Sequence, residues 1–215
     1  MTKLTHFGTL KVTGPDAAQF LQGQLTNDIR ELKASNHQLS ALCNRQGRVL
    51  ALMDVFRVND DYFLTLPQAL ISTIHPLLQK YIVAAKVHII DASHEYSITV
   101  NQDFLQQQMR AIIPFIGLAQ SGLFLPHPLG LVNLGAVSFN KGCFVGQEII
   151  ARMQHRTTNT KALHYFEIQQ NPPPNIGETL ELPKYPKGTI VNALEISPNT
   201  YAILMILDEK MLYTS

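Results

Sequence analysis

The sequence predicts an α+β protein in which helices cover one face of mainly antiparallel sheets, followed by a small carboxy-terminal antiparallel β-barrel. Three observations favour this fold class. Strand-like and helix-like segments alternate over the first hundred residues or so, and the segments after Asn159 are short and β-prone, without helical periodicity. A length of 215 residues with 46% hydrophobic content also suffices to bury a core. We therefore expect two parts, residues 1–158 and residues 159–215.

The amino-terminal segment is predicted to form a strand, a helix and an antiparallel meander. Residues 4–12 are strand-like, and Gly14-Pro15-Asp16 then opens a helix with a carboxylate near the positive end of its dipole. Three strands joined by tight polar turns are expected at residues 38–43, 48–58 and 62–66.

A second helix and further strands complete the chain. Apolar residues at helical spacing after Pro67 predict the helix, with a kink at Pro76. Residues 86–91 and 96–100 return to a strand pattern. Four β-prone segments predict the barrel, at residues 162–168, 178–182, 187–196 and 200–207.

The segment from Ala111 to Asn140 contains no Asp, Glu, Lys or Arg, and its length could cross a bilayer. Its Pro and Gly residues interrupt every helical run, and the freed backbone groups would have no partners in lipid. We therefore interpret this segment as buried loop and short strands.

The overall charge excludes some classes of partner. Lys and Arg number 17 against 16 for Asp and Glu, which leaves a formal net charge of +1. So weak a charge gives no long-range attraction to nucleic acid or to an acidic membrane, and we expect neither as a direct partner. With two cysteines, and no charged leader followed by an apolar core at Met1, we expect a cytoplasmic protein rather than a secreted disulfide scaffold.

Metal and hydrolase chemistry have little support in the sequence. The eight histidines are scattered, without a Cys-x-x-Cys or His-x-x-x-His pair, so we predict no stable metal site. No G-x-S-x-G elbow, dinucleotide-binding glycine motif or Walker loop occurs either.

The most informative segment runs from Lys141 to Arg152 and reads KGCFVGQEIIAR. Apolar residues at helical spacing predict a helix that begins near Gly146 and places Cys143 just before its amino terminus. The helix dipole and the nearby Lys141 would both favour the thiolate, which is a nucleophile and a soft metal ligand. The alternative is that Cys143 is a small buried hydrophobe, the common state of free cysteine. Cys43 lies in an apolar strand-like run and is predicted to pack in the core.

Basic residues form two small groups that could hold an anionic ligand. Arg152, His155 and Arg156 follow the cysteine motif, and Arg45 and Arg48 flank a turn in the first half. Guanidinium offers forked donors to carboxylate or phosphate. The alternative is a solvated helix end, in which the basic side chains complement the negative carboxyl terminus of their own helix.

Residues 141–148 resemble the K-G-C-[YF]-x-G-Q-E signature of the YgfZ family, folate-binding proteins related to the aminomethyltransferase (T protein) of the glycine cleavage system. Further similarities follow in order along the chain, at residues 14–17, 20–28, 42–50, 80–87, 121–126 and 137–140. Ordered matches between about residue 8 and residue 156 are far more specific than an isolated octapeptide.

The resemblance implies a T-protein-like fold with ferredoxin-like subdomains, arranged as a three-part ring around a central folate cavity, and a carboxy-terminal barrel. It implies tetrahydrofolate or a related folate as the small-molecule ligand. It also implies a role in assembling or repairing iron–sulfur clusters, in particular for enzymes that modify tRNA. Iron–sulfur enzymes or assembly proteins are then the expected partners.

The resemblance also implies site residues. Cys143 is the residue most closely tied to activity, with Lys141 and Arg152 close by. The implied folate-binding residues lie in the amino-terminal helix and turn, in the hairpin and in the signature, and are Gln24, Asn27, Asp28, Arg45, Gln147 and Glu148.

The sequence departs from the family pattern in three places. Between Val100 and Ala111 the chain is shorter than in the family, so much of one subdomain is predicted to be absent, and a homo-oligomer could then close the cavity. The acidic residue that cradles the pterin in relatives would fall near Arg110, and a guanidinium offers donors only. Thr157-Thr158 replaces a Gly in the loop that leads into the barrel.

Three functions are open from the sequence. The first is a folate-binding accessory protein that supports iron–sulfur enzymes through Cys143, and the signature favours it. The second is a folate-dependent aminomethyltransferase, for which Asp54 or Asp28 could be the carboxylate that handles the reactive folate nitrogen. The third is a non-enzymatic interaction module that lost folate binding with its missing subdomain.

Overall fold

The computed structural model describes residues 5–33, 36–155 and 160–213. The helices are α1 (Ala17–Gln24), α2 (Gln68–Lys80), α3 (Gln102–Arg110) and α4 (Gln147–His155). The first sheet contains β1 (Thr5–Thr13), β2 (His37–Cys43), β3 (Val49–Val58), β4 (Asp61–Pro67), β5 (His88–Asp91) and β6 (Ile98–Val100). The second contains β7 (Lys161–Gln169), β8 (Thr179–Leu180), β9 (Gly188–Ser197) and β10 (Thr200–Asp208). Leu4, Arg156, Thr157-Thr158 and the predicted boundary between residues 158 and 159 lie outside the described ranges.

The first sheet is antiparallel throughout, with the strand order β2-β3-β4-β1-β5. The predicted meander is present as β2-β3-β4, and β1 pairs with β4 rather than with its neighbour in the chain. The second half of β1 pairs with β5 and its first half with β6. The first strand of the chain therefore lies inside the sheet, where it joins the meander to the later strands.

The two faces of the first sheet differ because successive side chains of a strand point to opposite faces. On β3, Ala51, Met53 and Val55 are fully buried in a core that also contains residues of α1 and α2. Leu52 and Asp54 point to the other face, toward the second sheet. Helices thus cover one face of the sheet, as predicted.

The second sheet packs against that other face. A second core contains Ala202 and Leu204 of β10 together with Ala41 of β2 and Val49 of β3. The strand order is β7-β10-β9-β8, with antiparallel pairs. β7 and β8 stand at the two ends of this path, so the pairings do not show the closed barrel that the sequence predicts.

The uncharged segment 111–140 is a partly buried loop, but it contains none of the short strands that we expected, and the structure describes all of its residues. Leu129, Leu131 and Ala136 are fully buried in the second core. Turn hydrogen bonds and bonds to β3 satisfy part of its backbone, such as the 2.8 Å bond from the Val49 N–H to the Phe124 carbonyl. Within the described ranges, no helix has both the length and the apolar character needed to span a membrane.

Helix α3 was not predicted. The Asn101 side chain caps it by accepting a 2.9 Å hydrogen bond from the Phe104 N–H. At the other end, Arg110 donates to Glu167 of β7 at 2.9 Å. A short helix therefore joins the two sheets in the part of the chain that the sequence identified as shortened.

Candidate functional site

The residues around the signature form a loop that is tied to the chain following α1. We call residues 136–146 the signature loop. Lys141 is only 7% exposed, and its ammonium donates to the backbone carbonyls of Leu25 at 2.5 Å and Asn27 at 2.8 Å. Its Nζ also lies 5.1 Å from the centroid of the Phe144 ring. Burial lowers the pKa of Lys141 to about 8. Because two carbonyls accept from its ammonium, Lys141 fixes the position of the signature loop.

Other hydrogen bonds join the same two segments. The Thr26 hydroxyl donates to the Ala136 carbonyl at 2.6 Å, and the Ser138 N–H donates to the Thr26 carbonyl at 3.0 Å. The Val145 N–H donates to the Gly23 carbonyl at 3.2 Å. The signature loop is therefore built against residues 23–27, which lie far earlier in the chain.

Gly146 brings the end of the signature loop against the turn between β2 and β3. Its φ is +83°, and a Cβ at this position would lie 2.5 Å from the Asn44 carbonyl oxygen and 2.9 Å from the Cα of Gly47. Glycine alone tolerates both this conformation and this approach. α4 begins at the next residue, Gln147, so the predicted helix start near Gly146 is confirmed.

Cys143 is exposed on this loop, and the alternative of a buried hydrophobe does not apply. The Lys141 ammonium does not contact this thiol directly. The ammonium is directed at the carbonyls of Leu25 and Asn27, and no hydrogen bond or ion pair joins the Cys143 thiol to a cation among the described residues. The lysine positions the loop that carries the thiol and does not pair with the thiol itself.

Cys43, by contrast, packs in the second core, as the sequence predicted. It is 2% exposed on β2, and burial raises the pKa of its thiol to about 12. Both cysteines are free. The two thiols therefore occupy opposite environments, one protonated and buried, the other accessible.

Three of the residues implied for folate binding lie directly after α1 or at its end. Asp28 is 4% exposed and accepts hydrogen bonds from Arg30 and from Gln22 at 3.0 Å. The Arg30 guanidinium, with these further bonds, holds the pKa of Asp28 well below its usual range. Asn27 donates its amide hydrogens to two backbone carbonyls, whereas Gln24 has a buried Oε1 without a partner among the described residues. Asp28 and Asn27 are thus engaged in holding this segment.

The remaining predicted residues lie on the surface around the start of α4 and the facing turn. Arg45 and Glu148 are exposed, and Gln147 is half-buried at the first position of α4. Arg152 forms a 3.0 Å ion pair with Glu148, one turn earlier on the same helix. This pair agrees with the solvated helix surface that we weighed for Arg152.

A cavity of about 590 Å³ lies between the two sheets and α3. Strands β1 to β4, β6 and β9 line it, together with α3 and residues 113–116, and most of these side chains are apolar. Its size is that of a small-molecule site, roughly 300–1,000 Å³. Among the described lining residues, Asp54 is a candidate that the sequence offered for an aminomethyltransferase, and none belongs to the residues that the resemblance implied for the folate-binding accessory protein. The signature loop and the cavity are therefore two separate features.

Asp54 is the one charged side chain among the described residues that line the cavity. Its Oδ2 lies 2.6 Å from Nδ1 of His37, on the neighbouring strand β2. The amides of Gln120 and Asn192 also line the cavity, but both hydrogen-bond to backbone groups of its walls. The Gln108 amide lines the cavity without a hydrogen-bond partner among the described residues, so the Asp54 carboxylate and the Gln108 amide are available to a bound molecule, and Asp54 is the charged one.

Arg110 does not line the cavity. Its guanidinium donates to Glu167 and, at 3.3 Å, to the Tyr165 hydroxyl on β7. The side chains of Phe104 and Met109 on the same helix do line the cavity. Helix α3 therefore forms one wall of the cavity, in the part of the chain where the sequence predicted that much of a subdomain is missing.

Residue types that bind metals do not cluster in the described part of the chain. No group of three or more His, Cys, Asp or Glu residues there could hold a metal ion.

Two features of the cavity were missed from the sequence. Asp54 was considered only for the alternative activity, although a lone acidic residue in the apolar alternation of Leu52, Met53 and Val55 was a usable signal. Its partner His37 had no such signal, because their contact depends on the register of β2 against β3.

Comparisons with known proteins agree with this architecture. Residues 1–101 match the family model described as the GCVT N-terminal domain. The tRNA-modifying protein YgfZ of Klebsiella pneumoniae is 25% identical over 278 residues, covering 97% of this chain and 85% of that protein. That alignment is longer than the 215-residue chain, so the Klebsiella protein contains segments that this chain lacks. An uncharacterized protein of Haemophilus influenzae is 26% identical over 234 residues, covering 90% of this chain and 84% of that protein.

A solved structure has the same fold. The glycine cleavage system aminomethyltransferase T from Bartonella henselae superposes with a TM-score of 0.66 at 13% identity, covering 96% of this chain and 78% of that chain. These findings confirm the resemblance that the signature predicted: residues 1–101 match the GCVT N-terminal domain, the chain has a T-protein-like α+β fold, and its sequence is similar to those of the YgfZ tRNA-modifying proteins.

Proposed function

We propose that this chain is a folate-binding accessory protein with a YgfZ-like role. A folate occupies the cavity between the sheets, and Cys143 contacts an iron–sulfur enzyme or assembly protein that serves tRNA modification. The observation that carries the proposal is a ligand-sized, mostly apolar cavity at the centre of a T-protein-like fold. The name of the Klebsiella relative supports the link to tRNA modification.

The cavity fits a folate ring in size and chemistry. Aromatic side chains of Phe7, Phe104 and Phe115 line it, and such walls suit a flat heterocycle. The Asp54 carboxylate can accept hydrogen bonds from ring N–H and amino groups. A bound folate would supply a carrier for one-carbon groups. The residues that the resemblance implied for folate binding lie around the signature loop instead, and we propose that Asn27 and Asp28 among them hold the segment against which that loop is built.

The exposure of Cys143 supports a role in contact with a partner. Sulfur ligands favour iron–sulfur centres, but one thiolate cannot complete the coordination of a cluster. The partner, glutathione or a second chain then supplies the other ligands. We further propose a cytoplasmic location and a division of the chain into two parts, residues 1–158 and residues 159–215. We also propose that the protein can form homo-oligomers.

Thermal unfolding with and without 5-formyltetrahydrofolate tests the folate part of the proposal. A ligand that binds only the native state stabilises it by RT ln(1 + [L]/Kd), about 2.7 kcal/mol at about a hundredfold excess over Kd. We expect a clear rise in the unfolding temperature. No change at millimolar folate, together with no heat of binding in calorimetry, would favour the non-enzymatic interaction module.

The role of the Cys143 thiol is tested by complementation in cells that lack their own YgfZ-like protein. We expect wild type and Cys43→Ala to restore a tRNA-modifying iron–sulfur enzyme, and Cys143→Ala to fail. The two variants are matched because each removes one thiol, and the amount of folded protein is measured for both. Equal rescue by Cys143→Ala would remove the thiol from the proposal.

An aminomethyltransferase is the second candidate, and the position of Asp54 in the cavity favours it. That activity would transfer the methylene of an aminomethylated carrier thiol to tetrahydrofolate, with release of ammonia and the free carrier thiol, and Asp54→Asn would abolish the formation of methylenetetrahydrofolate. If the wild-type protein binds folate but forms no methylenetetrahydrofolate, the aminomethyltransferase is ruled out and the accessory role is favoured.

A further inference from the structure

We infer that Asp54, oriented by His37, determines which ring the cavity accepts. The ring is a flat heterocycle, neutral or cationic, that presents neighbouring N–H donors to the carboxylate. Anionic groups are excluded from the surroundings of Asp54. The inference rests on the proposed function, because it requires that the cavity bind a small molecule.

The charges of the lining carry the first step. Asp54 is the one charged lining residue that the structure describes, and neither Lys nor Arg occurs among these side chains. An anion placed beside the carboxylate would meet like charge and apolar walls, without a cation to offset the loss of water. A ring with N–H donors would instead satisfy the carboxylate, and hydrogen bonds to a charged acceptor are strong.

The position of His37 carries the second step. On the β2–β3 ladder, His37 pairs with Phe56 and Leu39 pairs with Asp54, so His37 and Asp54 are diagonal neighbours. The His37 ring packs on Phe56 with centroids 5.2 Å apart, and Phe56 stacks on Phe63 at 4.9 Å. The His37 side chain is 63% exposed, and its packing on Phe56 holds the orientation of the imidazole ring.

The geometry leaves one carboxylate oxygen for the ligand. His37 contacts Oδ2 of Asp54 at 2.6 Å, and Oδ1 has no hydrogen-bond partner among the described residues. His37 thus fixes the plane of the carboxylate without occupying its second oxygen. We assign His37 as a positioning residue, which acts on the ligand through Asp54.

Calorimetry with three probes tests the assignment of Asp54: 5-formyltetrahydrofolate, a pterin without the benzoylglutamate tail, and p-aminobenzoylglutamate alone. We expect Asp54→Asn to weaken binding of the first two by about 10- to 100-fold and to leave the third unchanged. Asp60→Asn is the matched control, because Asp60 lies in the same hairpin with a side chain that is 97% exposed, and it should change no affinity by more than about twofold. Thermal unfolding verifies that each variant is folded, and Asp54→Ser replaces Asp54→Asn if the latter is not.

His37 is tested by a conservative pair. His37→Gln retains an N–H donor for Asp54, whereas His37→Leu does not. We expect binding of the tail-free pterin to stay within about threefold for His37→Gln and to fall about tenfold for His37→Leu. An equal loss in both variants would overturn the positioning role.

The outcomes separate the two levels of the proposal. Wild-type protein that binds none of the three probes contradicts the proposed function. Wild-type protein that binds the tail-free pterin, with Asp54→Asn binding it equally well, contradicts only the selectivity assigned to Asp54. Tighter binding of p-aminobenzoylglutamate than of the tail-free pterin also overturns that selectivity.

Discussion

Lys141 donates a 2.5 Å hydrogen bond to the backbone carbonyl of Leu25, 116 positions earlier in the chain. A second bond reaches the carbonyl of Asn27. The lysine of the signature therefore acts as a tether, and the exposed Cys143 two residues later depends on it for its position. This separates the roles of the two residues, which the sequence had joined through electrostatics.

Replacing Lys141 by Met should destabilise the fold. The variant leaves two buried carbonyls without their donor, and we expect the free energy of unfolding to fall by about 1–3 kcal/mol in urea denaturation. Lys187→Met is the control, because Lys187 forms only a surface ion pair with Glu181, at 3.3 Å, and should cost less than about 1 kcal/mol. Equal losses in the two variants would contradict the tether.

The two thiols should differ in reactivity in the native protein. Cys143 is exposed, whereas Cys43 is buried with a raised pKa, and the thiolate is the reacting form. An aromatic disulfide reagent should therefore modify one thiol quickly and the second only after unfolding. Cys143→Ala should remove the fast phase and Cys43→Ala should retain it. Two fast thiols in the wild type would show that Cys43 is accessible.

Gly146→Ala should be among the most destabilising single substitutions near the signature loop. The new methyl group would clash with Asn44 and Gly47, and a positive φ adds backbone strain, for a total of about 3 kcal/mol or more. Gly130→Ala isolates the strain, since Gly130 has a φ of +73° with open space around it, and should cost about 1 kcal/mol. Chemical denaturation measures the loss of unfolding free energy in both variants. Equal losses would show that the contacts of the new methyl group with Asn44 and Gly47 are unimportant.

Asp28 should contribute stability that acid removes. Its pKa is lowered in the folded protein, first by the hydrogen bonds from Arg30, so the unfolded chain binds more protons as the pH falls below about 4. We expect the free energy of unfolding of the wild type to exceed that of Asp28→Asn by about 2 kcal/mol at neutral pH. This difference should shrink progressively below about pH 4. Urea unfolding at a series of pH values measures it. Parallel profiles for the two proteins would be inconsistent with a lowered pKa.

Much of the fold could be predicted locally. Alternation along β3 and helical spacing in α2 are properties of single segments, and both elements are present within one or two residues of their predicted bounds. α3 escaped prediction because its nine residues are mostly polar and only Met109 is fully packed. The closed barrel stays a prediction, since closure depends on which edges of a sheet meet and not on the pattern of any strand.

The amino-acid sequence by itself determined the strand and helix periods, the family signature with its glycine and its cysteine, and the overall α+β class. Only the tertiary structure decided what Lys141 binds and which side chain faces the cavity. Backbone carbonyls are present at every residue, so no sequence pattern identifies Leu25 and Asn27 as the acceptors of a lysine. Likewise, Asp54 meets His37 only through the register of two strands, which is set by packing of the whole sheet.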